Sequence, residues 1–540
     1  MKKYLLIIIP CLVITFFSCN DTFLEENPPH ILTGENLFQN TEGFESALNG
    51  LYSLVRKERS GGAFVPGNTH NFPYFDIATL GNDNSYSNFY HNRIIVYNNW
   101  GEYNNSLSSL VSNTWAWLYQ IVNTTNTIIT RAGNQDIDWT ESEKNRIVAE
   151  ARLIRAWAYR HLTFIWGDVP LTLTETVGSD IKTDWGKSSV EEIRNAMEDD
   201  LIFAEQNLPE TSSIPGKLVK GVATHYLAEL YLTQGKNEEA KQKAQALINS
   251  GTYSLVTQRY GVQSNEPGTP FTDMFLDGNS NKGEGNTEAL WVWQHENNVV
   301  GGGTNIMRRW WVTAYDRLKV GGKSPIRISV ENGGRGLGRA AATKYAVNLY
   351  EEGDDRGSEF AWRKYWIINN PNGVPDGYNL GDTLFLDLQQ DESLNNAAWT
   401  NTRKWDWADP DNLTSSPGFN DQVYLRLAET YLILAEAQMQ LGEQAEAAET
   451  INALRRRANA SEISASDVTM DFILDERSRE LFSEEHRRYT LLRTNTWFDR
   501  VKLYNPIAGP NITNRDVLFP IPQDVIDANI DRDIEQNPGY

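Results

Sequence analysis

Two stretches of the chain gather the residue types that grip a polyhydroxylated ligand. Residues 79–103, TLGNDNSYSNFYHNRIIVYNNWGEY, hold Asn82, Asp83, Asn84, Tyr86, Tyr90, Asn99, Trp100 and Tyr103. Residues 291–315 hold Trp291, Trp293, Gln294, His295, Asn305, Arg308, Arg309, Trp310, Trp311 and Tyr315 in a polar, glycine-rich setting. A sugar ring has an apolar face of C–H groups and an equator of hydroxyls. Indole and phenol rings offer flat apolar surfaces to that face at small entropic cost. Asn, Asp, Gln and Arg supply directional hydrogen bonds to the hydroxyls. Trp291 and Trp293 alternate in ALWVWQ as in a strand, so they share one side, which reads as core-facing. Trp310 and Trp311 are adjacent and point apart, so one is expected inside and the other exposed. Trp115, Trp117, Trp157 and Trp166 fall on helical patterns and read as core. Trp362, Trp366, Trp405 and Trp407 lie nearer loops, and the sequence leaves them open.

Catalytic chemistry finds less support. The histidines (30, 70, 91, 161, 225, 295 and 486) show no pair three to five residues apart, so no local zinc pair is evident. The chain has neither a GxSxG elbow nor a complete GxxxxGK[ST] phosphate loop. GRGLGR (334–339) carries only part of a GxGxxG fingerprint, follows no strand pattern and reads as a loop. Glu476, Glu480, Glu484 and Glu485 alternate with Arg477, Arg479, Arg487 and Arg488, which reads as intrahelical ion pairing. Asp409-Pro410-Asp411-Asn412 lacks the spaced ligands of an EF-hand loop, although a structural calcium is compatible with its carboxylates. No cofactor and no catalytic metal are expected, and the chain reads as a binding protein.

The 540 residues include 17 Trp, 23 Tyr and 20 Phe, too many rings for a disordered chain. The net charge of −22 argues against nucleic acid, whose phosphates need clustered Lys and Arg. Both cysteines, Cys11 and Cys19, lie near the start, so the body has no thiol for a disulfide, a zinc site or a nucleophile. Lys2 and Lys3 precede an apolar run, Leu5 to Phe17, too short to span roughly 30 Å of hydrocarbon. The run ends at Ser18-Cys19, a small residue before a cysteine as in the bacterial lipobox, although Phe16 stands where Leu is usual. The expectation is a signal peptide over 1–18, lipidation of Cys19, and anchoring to a membrane without spanning it.

Residues 19–35 follow as a proline-bearing tether. Helical periodicity then dominates: 41–57, 110–131, and 141–166 with a start near Thr140 and a stop before Gly167. An internal repeat superposes 228–247 on 435–454. Ala228, Glu229, Gly235, Glu239, Ala240, Ala246 and Leu247 recur as Ala435, Glu436, Gly442, Glu446, Ala447, Ala453 and Leu454. Small residues and a glycine turn at this spacing describe a tetratricopeptide-type helix pair. Between the repeats, 255–420 is rich in Gly, Asn and Pro and loses helical period. The reading is therefore mainly α: a helical region over 36–254, a loop-rich irregular insert over 255–420, and a helical region over 421–540.

GGRGLGRAAATKYAVNLYEEGDDRGS (333–358), YLRLAETYLILAEAQMQLGEQAEAAETINALRRRA (424–458), DERSRELFSEEHRR (475–488) and LFPIPQDVIDANIDRDIEQNPGY (518–540), in this order, resemble the SusD/RagB family of Bacteroidetes lipoproteins. The resemblance implies four tetratricopeptide-like helix pairs supporting a variable loop region. It also implies a lipid-anchored place in the outer membrane facing the exterior, a SusC-like TonB-dependent transporter as partner, and an oligosaccharide as ligand. A peptide ligand, as in the RagB branch, is the alternative. From the family's glycan contacts, the binding role carries over to Asn82, Asp83 and Trp100. The insert's stacking aromatic carries over to Trp310 or Trp311 with Tyr315. Tyr86 and Arg308 complete the expected ligand-binding set.

Overall fold

The computed structural model describes residues 37–60, 74–88, 95–134, 136–176, 182–415 and 417–540. Cys19, the expected signal peptide and tether, and Tyr90 lie outside these residues. Helices α1 (Thr41–Ser60), α2 (Ser109–Arg131), α3 (Glu141–Trp166), α4 (Val190–Asn207), α5 (Lys220–Thr233) and α6 (Asn237–Ile248) pack mostly against their sequence neighbours. The short α7 (Met307–Trp311) lies in the insert. Helices α8 (Leu427–Gln440), α9 (Gln444–Arg457), α10 (Met470–Leu481), α11 (Arg487–Arg493) and α12 (Trp497–Tyr504) complete the body. The chain is mostly helical, as its periodicity predicts.

Local signals account for the boundaries. Thr140 accepts from the Glu143 amide while the Glu143 carboxylate accepts from the Thr140 amide, a reciprocal cap that starts α3. Gly167, at φ 74°, stops it. The internal repeat is structural as well as literal. α5–α6 and α8–α9 are both helical hairpins, turned at Gly235 (φ 73°) and Gly442 (φ 81°) in the left-handed region that glycine enters without strain. Ala228 and Ala240 in one pair, and Ala435 and Ala447 in the other, are fully buried and let the helices approach closely. The paired glutamates also do the same work. Glu229 accepts from Arg160 at 2.7 Å, and Glu436 accepts from Arg493 at 2.8 Å. α6 packs on α8, so the second hairpin nests against the first.

The sheets are small and serve as stitching. β1 (Ser85–Ser87) pairs antiparallel with β3 (Ala340–Ala342), Tyr86 opposite Ala341, and so ties an N-terminal loop to the insert. β2 (Ala289–Trp293) pairs antiparallel with β6 (Gln422–Arg426), which runs directly into α8. Trp293 stacks on Tyr424 at 4.0 Å and Trp291 meets the same ring edge-on at 5.0 Å, so both face inward as their alternation predicts. β4 (Tyr365–Ile367) and β5 (Thr383–Phe385) form an antiparallel hairpin within the insert.

The charges of 475–488 are not the local ladder their spacing suggests. Only Arg479–Glu476, at 2.6 Å, is a one-turn helical pair. α10 stops at Leu481, Phe482 is off-helix and Ser483 has φ 65°, so Glu484 and Glu485 turn back into the interior. There the carboxylates meet arginines from distant parts of the chain. Glu480 takes Arg356, Arg426 and Arg457, and Glu476 takes Arg356 at 2.7 Å and Arg455 at 3.0 Å. Glu484 takes Arg426 at 2.7 Å together with Lys404. Removing one partner from such a group leaves a desolvated charge facing nothing.

Two outcomes follow. Glu480→Ala is expected to lower the unfolding free energy by about 3–5 kcal/mol, read by urea denaturation. Burial alone would raise the Glu229 carboxyl, but the adjacent Arg160 outweighs burial and holds it at about 2, against an ordinary 4.5. As pH falls below 4.5 the unfolded chain takes up this proton first, so stability drops between pH 4.5 and 2. Glu229→Gln is expected to flatten that part of the denaturation-midpoint profile.

Candidate functional site

All eight ligand-binding residues expected from the sequence are buried. Asn82 accepts from the Trp497 indole N–H at 3.0 Å and donates to the Thr79 carbonyl at 2.8 Å. Asp83 is clamped by Arg487 at 2.7 Å and Arg500 at 2.8 Å. Burial acts to raise its carboxyl, but Arg487 and Arg500 prevail and hold it below the usual carboxylate range. The Tyr86 hydroxyl donates to the Ser393 carbonyl at 3.1 Å. Trp100 is sealed between Trp497, edge-on at 5.6 Å, and Phe519 at 5.3 Å. These residues bind the N-terminal loop to the insert and to the last part of the chain, and they are buried away from solvent.

The second cluster is corrected in the same way. Trp310 and Trp311 both lie inside, because α7 is wedged between the segment at Phe75 and the chain at Phe482. Trp310 meets Phe75 edge-on at 5.4 Å, and Trp311 meets Phe482 at 5.2 Å. The expectation that one of them is exposed therefore fails. Arg308 is 3% exposed, with one nitrogen donating to the Ser415 carbonyl at 2.6 Å. Tyr315 donates to the Gly334 carbonyl at 2.6 Å and stacks on Trp366 at 4.2 Å.

That last contact leads outward to the rings that are accessible. Tyr315, Trp366, Val312, Ile326, Ile368 and Leu384 form a separate small core beneath the β4–β5 hairpin. Side chains alternate across a strand, so Trp366 and its partner Leu384 face this core while Tyr365, Ile367 and Phe385 face out. Phe385 is 74% exposed and meets the half-buried Tyr365 at 6.0 Å, edge to face. Ile367 is exposed on the same face of the hairpin. The hairpin therefore presents an open aromatic shelf one layer beyond Tyr315. The alternation in KYWII and DTLFL carried this signal, but the ring clusters flanked by polar residues masked it.

A second ring-bearing surface is a cleft of about 550 Å³ lined by Trp115, Tyr119, Trp185, Asn123, Asp524 and Asn529, among others. Its rings are largely occupied. Trp115 is buried, the Tyr119 hydroxyl is committed to the Pro170 carbonyl at 2.7 Å, and the Lys182 ammonium sits 4.5 Å over Trp185.

Among the described residues, Glu58, His161 and His486 converge closely enough to hold a metal ion. Glu58 and His486 pair with each other, while His161 pairs with a different residue. His486 bridges Glu58 and the Arg160 guanidinium, the latter at 3.0 Å, and His161 pairs with the Tyr489 hydroxyl at 2.8 Å. A guanidinium at that distance opposes a second cation. The Asp409 carboxylate accepts from the amides of Asp411 at 2.9 Å and Asn412 at 3.1 Å, closing its own turn.

Comparison with known proteins places these observations in a family. A sequence model described as the SusD family matches residues 220–540, and one described as starch-binding, associating with outer membrane, matches residues 24–232. A SusD-like protein, P2, of Formosa agariphila is 26% identical over the whole of both chains. A SusD homologue from Bacteroides thetaiotaomicron superposes with a TM-score of 0.71 at 21% identity, covering 94% of this chain and 99% of that one. A laminarin-binding SusD-like protein superposes with a TM-score of 0.65 at 20% identity, covering 93% and 100%. With matched segments that run from residue 24 to residue 540, this chain belongs to the SusD family.

Proposed function

We propose that the chain captures oligosaccharides at the cell surface and hands them, unmodified, to a SusC-like TonB-dependent transporter. The observation that carries this reading is the solvent-facing pair Tyr365 and Phe385 on a hairpin braced from beneath by Trp366 and Tyr315. An exposed aromatic shelf on a rigid support needs an occupant, because contiguous apolar surface open to water marks a binding site. Flat rings match the C–H face of a sugar, and stacking acts without any reacting group. The family's description as starch-binding and the laminarin-binding neighbour agree with a glycan ligand. The same description agrees with a place at the outer membrane, where an acylated Cys19 would hold the protein. Among the described residues no helix is long and apolar enough to cross a membrane.

Calorimetry against a broad oligosaccharide panel tests the reading. Tyr365→Ala combined with Phe385→Ala is expected to weaken glycan binding by about tenfold or more, since two stacked rings contribute roughly 1–3 kcal/mol. Stability should stay within about 0.5 kcal/mol of the parent. Trp310→Ala should instead lower stability by about 3–5 kcal/mol, the signature of a core ring. Unchanged affinity in the hairpin variant with loss in Trp185→Ala would move the site to the cleft. Binding of oligopeptides with no saccharide bound would move the ligand class to peptides.

A further inference from the structure

The cleft beside Trp185 has walls that suit one kind of occupant. Trp115, Tyr119 and Asn123 stand four residues apart on α2 and so form one ridge along it. The two rings of the ridge lie 4.9 Å apart at 35°. Trp185, together with Val525 and Ala528 from the helix Gln523–Ala528, lines the same cleft of about 550 Å³. Most hydrogen-bonding groups here are already committed. The Tyr119 hydroxyl donates to Pro170, and the Thr172 hydroxyl donates to the Thr174 carbonyl at 3.4 Å. The Asn529 side chain accepts from the Trp185 amide at 2.8 Å and donates to the Trp185 carbonyl at 3.0 Å. A saccharide needs partners for its hydroxyls and finds few in such a cleft. Proline needs none: it has no N–H, and its extended polyproline form docks on aromatic-lined grooves.

The chain itself brings two prolines close by. It enters the described structure at Leu37. At the next residue, Phe38, the Arg131 guanidinium sits 5.5 Å over the ring, and Arg131 pairs with Glu175 at 2.9 Å. Thr172 and Thr176, on either side of Glu175, both line the cleft. Asn126 donates to the Thr172 carbonyl at 3.0 Å, and the Thr130 hydroxyl accepts from the Glu175 amide at 3.2 Å. This segment therefore runs alongside α2 from the cleft to the place where the described chain begins. Asn123 and Arg131, eight residues apart on α2, are separated by about 12 Å along its axis. The eight residues from Pro29 to Leu37 reach about 26 Å when extended. The sequence before Leu37 sets Pro28 and Pro29 between the acids Glu25 and Glu26 and the apolar pair Ile31 and Leu32. Lys182, also lining the cleft, complements those acids.

We propose that Pro28 and Pro29 of the chain's own N-terminal segment seat in this cleft, against Trp185 and the α2 ridge. The docking ties the body to its anchor. Cys19, the expected lipidation site, lies nine residues before Pro28 and so within about 30 Å of the cleft. A lipid on Cys19 then holds this face of the body toward the bilayer. The inference does not depend on which ligand the aromatic hairpin binds.

The test uses the chain from residue 19 with Cys19→Ser, which contains no other cysteine. His30→Cys and Ala528→Cys are introduced together, oxidised mildly, and the products read on a non-reducing gel. An intramolecular cross-link in most molecules is expected, with a yield that falls at least fivefold when Pro28→Ser and Pro29→Ser are added. Hydrogen exchange on the chains without the new cysteines gives a second readout. The amides of residues 182–186 and 523–528 are expected to exchange about tenfold faster once the prolines are replaced. Indifference of either readout to the two prolines overturns the docking. Cross-links that form only between molecules also overturn it and assign the cleft to a second copy of the chain.

Discussion

A carboxylate carried from water into a protein interior has to meet a cation, and that requirement organises this molecule more than any single helix does. The acids that follow α9, at 476, 480 and 484, draw in arginines and a lysine from the insert, from the strand leading into α8 and from α9 itself, and Glu485 takes Arg477 and Arg487 from the helices beside it. Asp83 extends the network to the N-terminal loop through Arg487 and Arg500. Since desolvation costs several kcal/mol per ion, each contact is tolerated only with all its partners present. The network therefore fixes where the loop-rich insert sits on the helical body. It also explains why aromatic residues near these charges end up sealed: once the charged neighbours turn inward, the rings beside them must follow.

Much of the architecture is legible in the residues alone. The 141–166 helix has its ends where Thr140 and Gly167 place them, and the repeat at 228 and 435 becomes two helical hairpins turned at glycine. Those features depend on neighbours within a few positions, which a sequence displays. The ligand-contact reading fails for a physical reason. Asn82, Asp83, Trp100, Arg308 and Trp310 sit in polar, turn-rich windows that look like surface, yet their partners lie far away in sequence, as Trp497 does for Asn82 and Arg487 for Asp83. Burial of a polar residue by a distant partner leaves no local trace. The charges of 475–488 mislead similarly: their spacing satisfies a helical ladder, and nothing nearby announces that the helix stops at Leu481.

The insert emerges as a layered support. Tyr315 lies beneath Trp366, Trp366 beneath the hairpin, and the hairpin carries Tyr365 and Phe385 into solvent. Such a stack separates two tasks that a single aromatic residue cannot perform together, rigidity below and access above. The strands involved are only three residues long, so the outward faces can change without disturbing the helical body. A family that shares one fold at about a fifth sequence identity has room to vary its ligands in this way.

The reach of the Asp83 clamp has a bearing on how the chain is made. Its arginine partners are 404 and 417 positions further on, so a nascent polypeptide emerging amino end first carries an unmatched acid until the ribosome has nearly finished. Contacts of such separation close late and slowly. The loop that carries Asp83 is thus among the last parts of the molecule to reach its final place, after the helices around it have already paired with their neighbours.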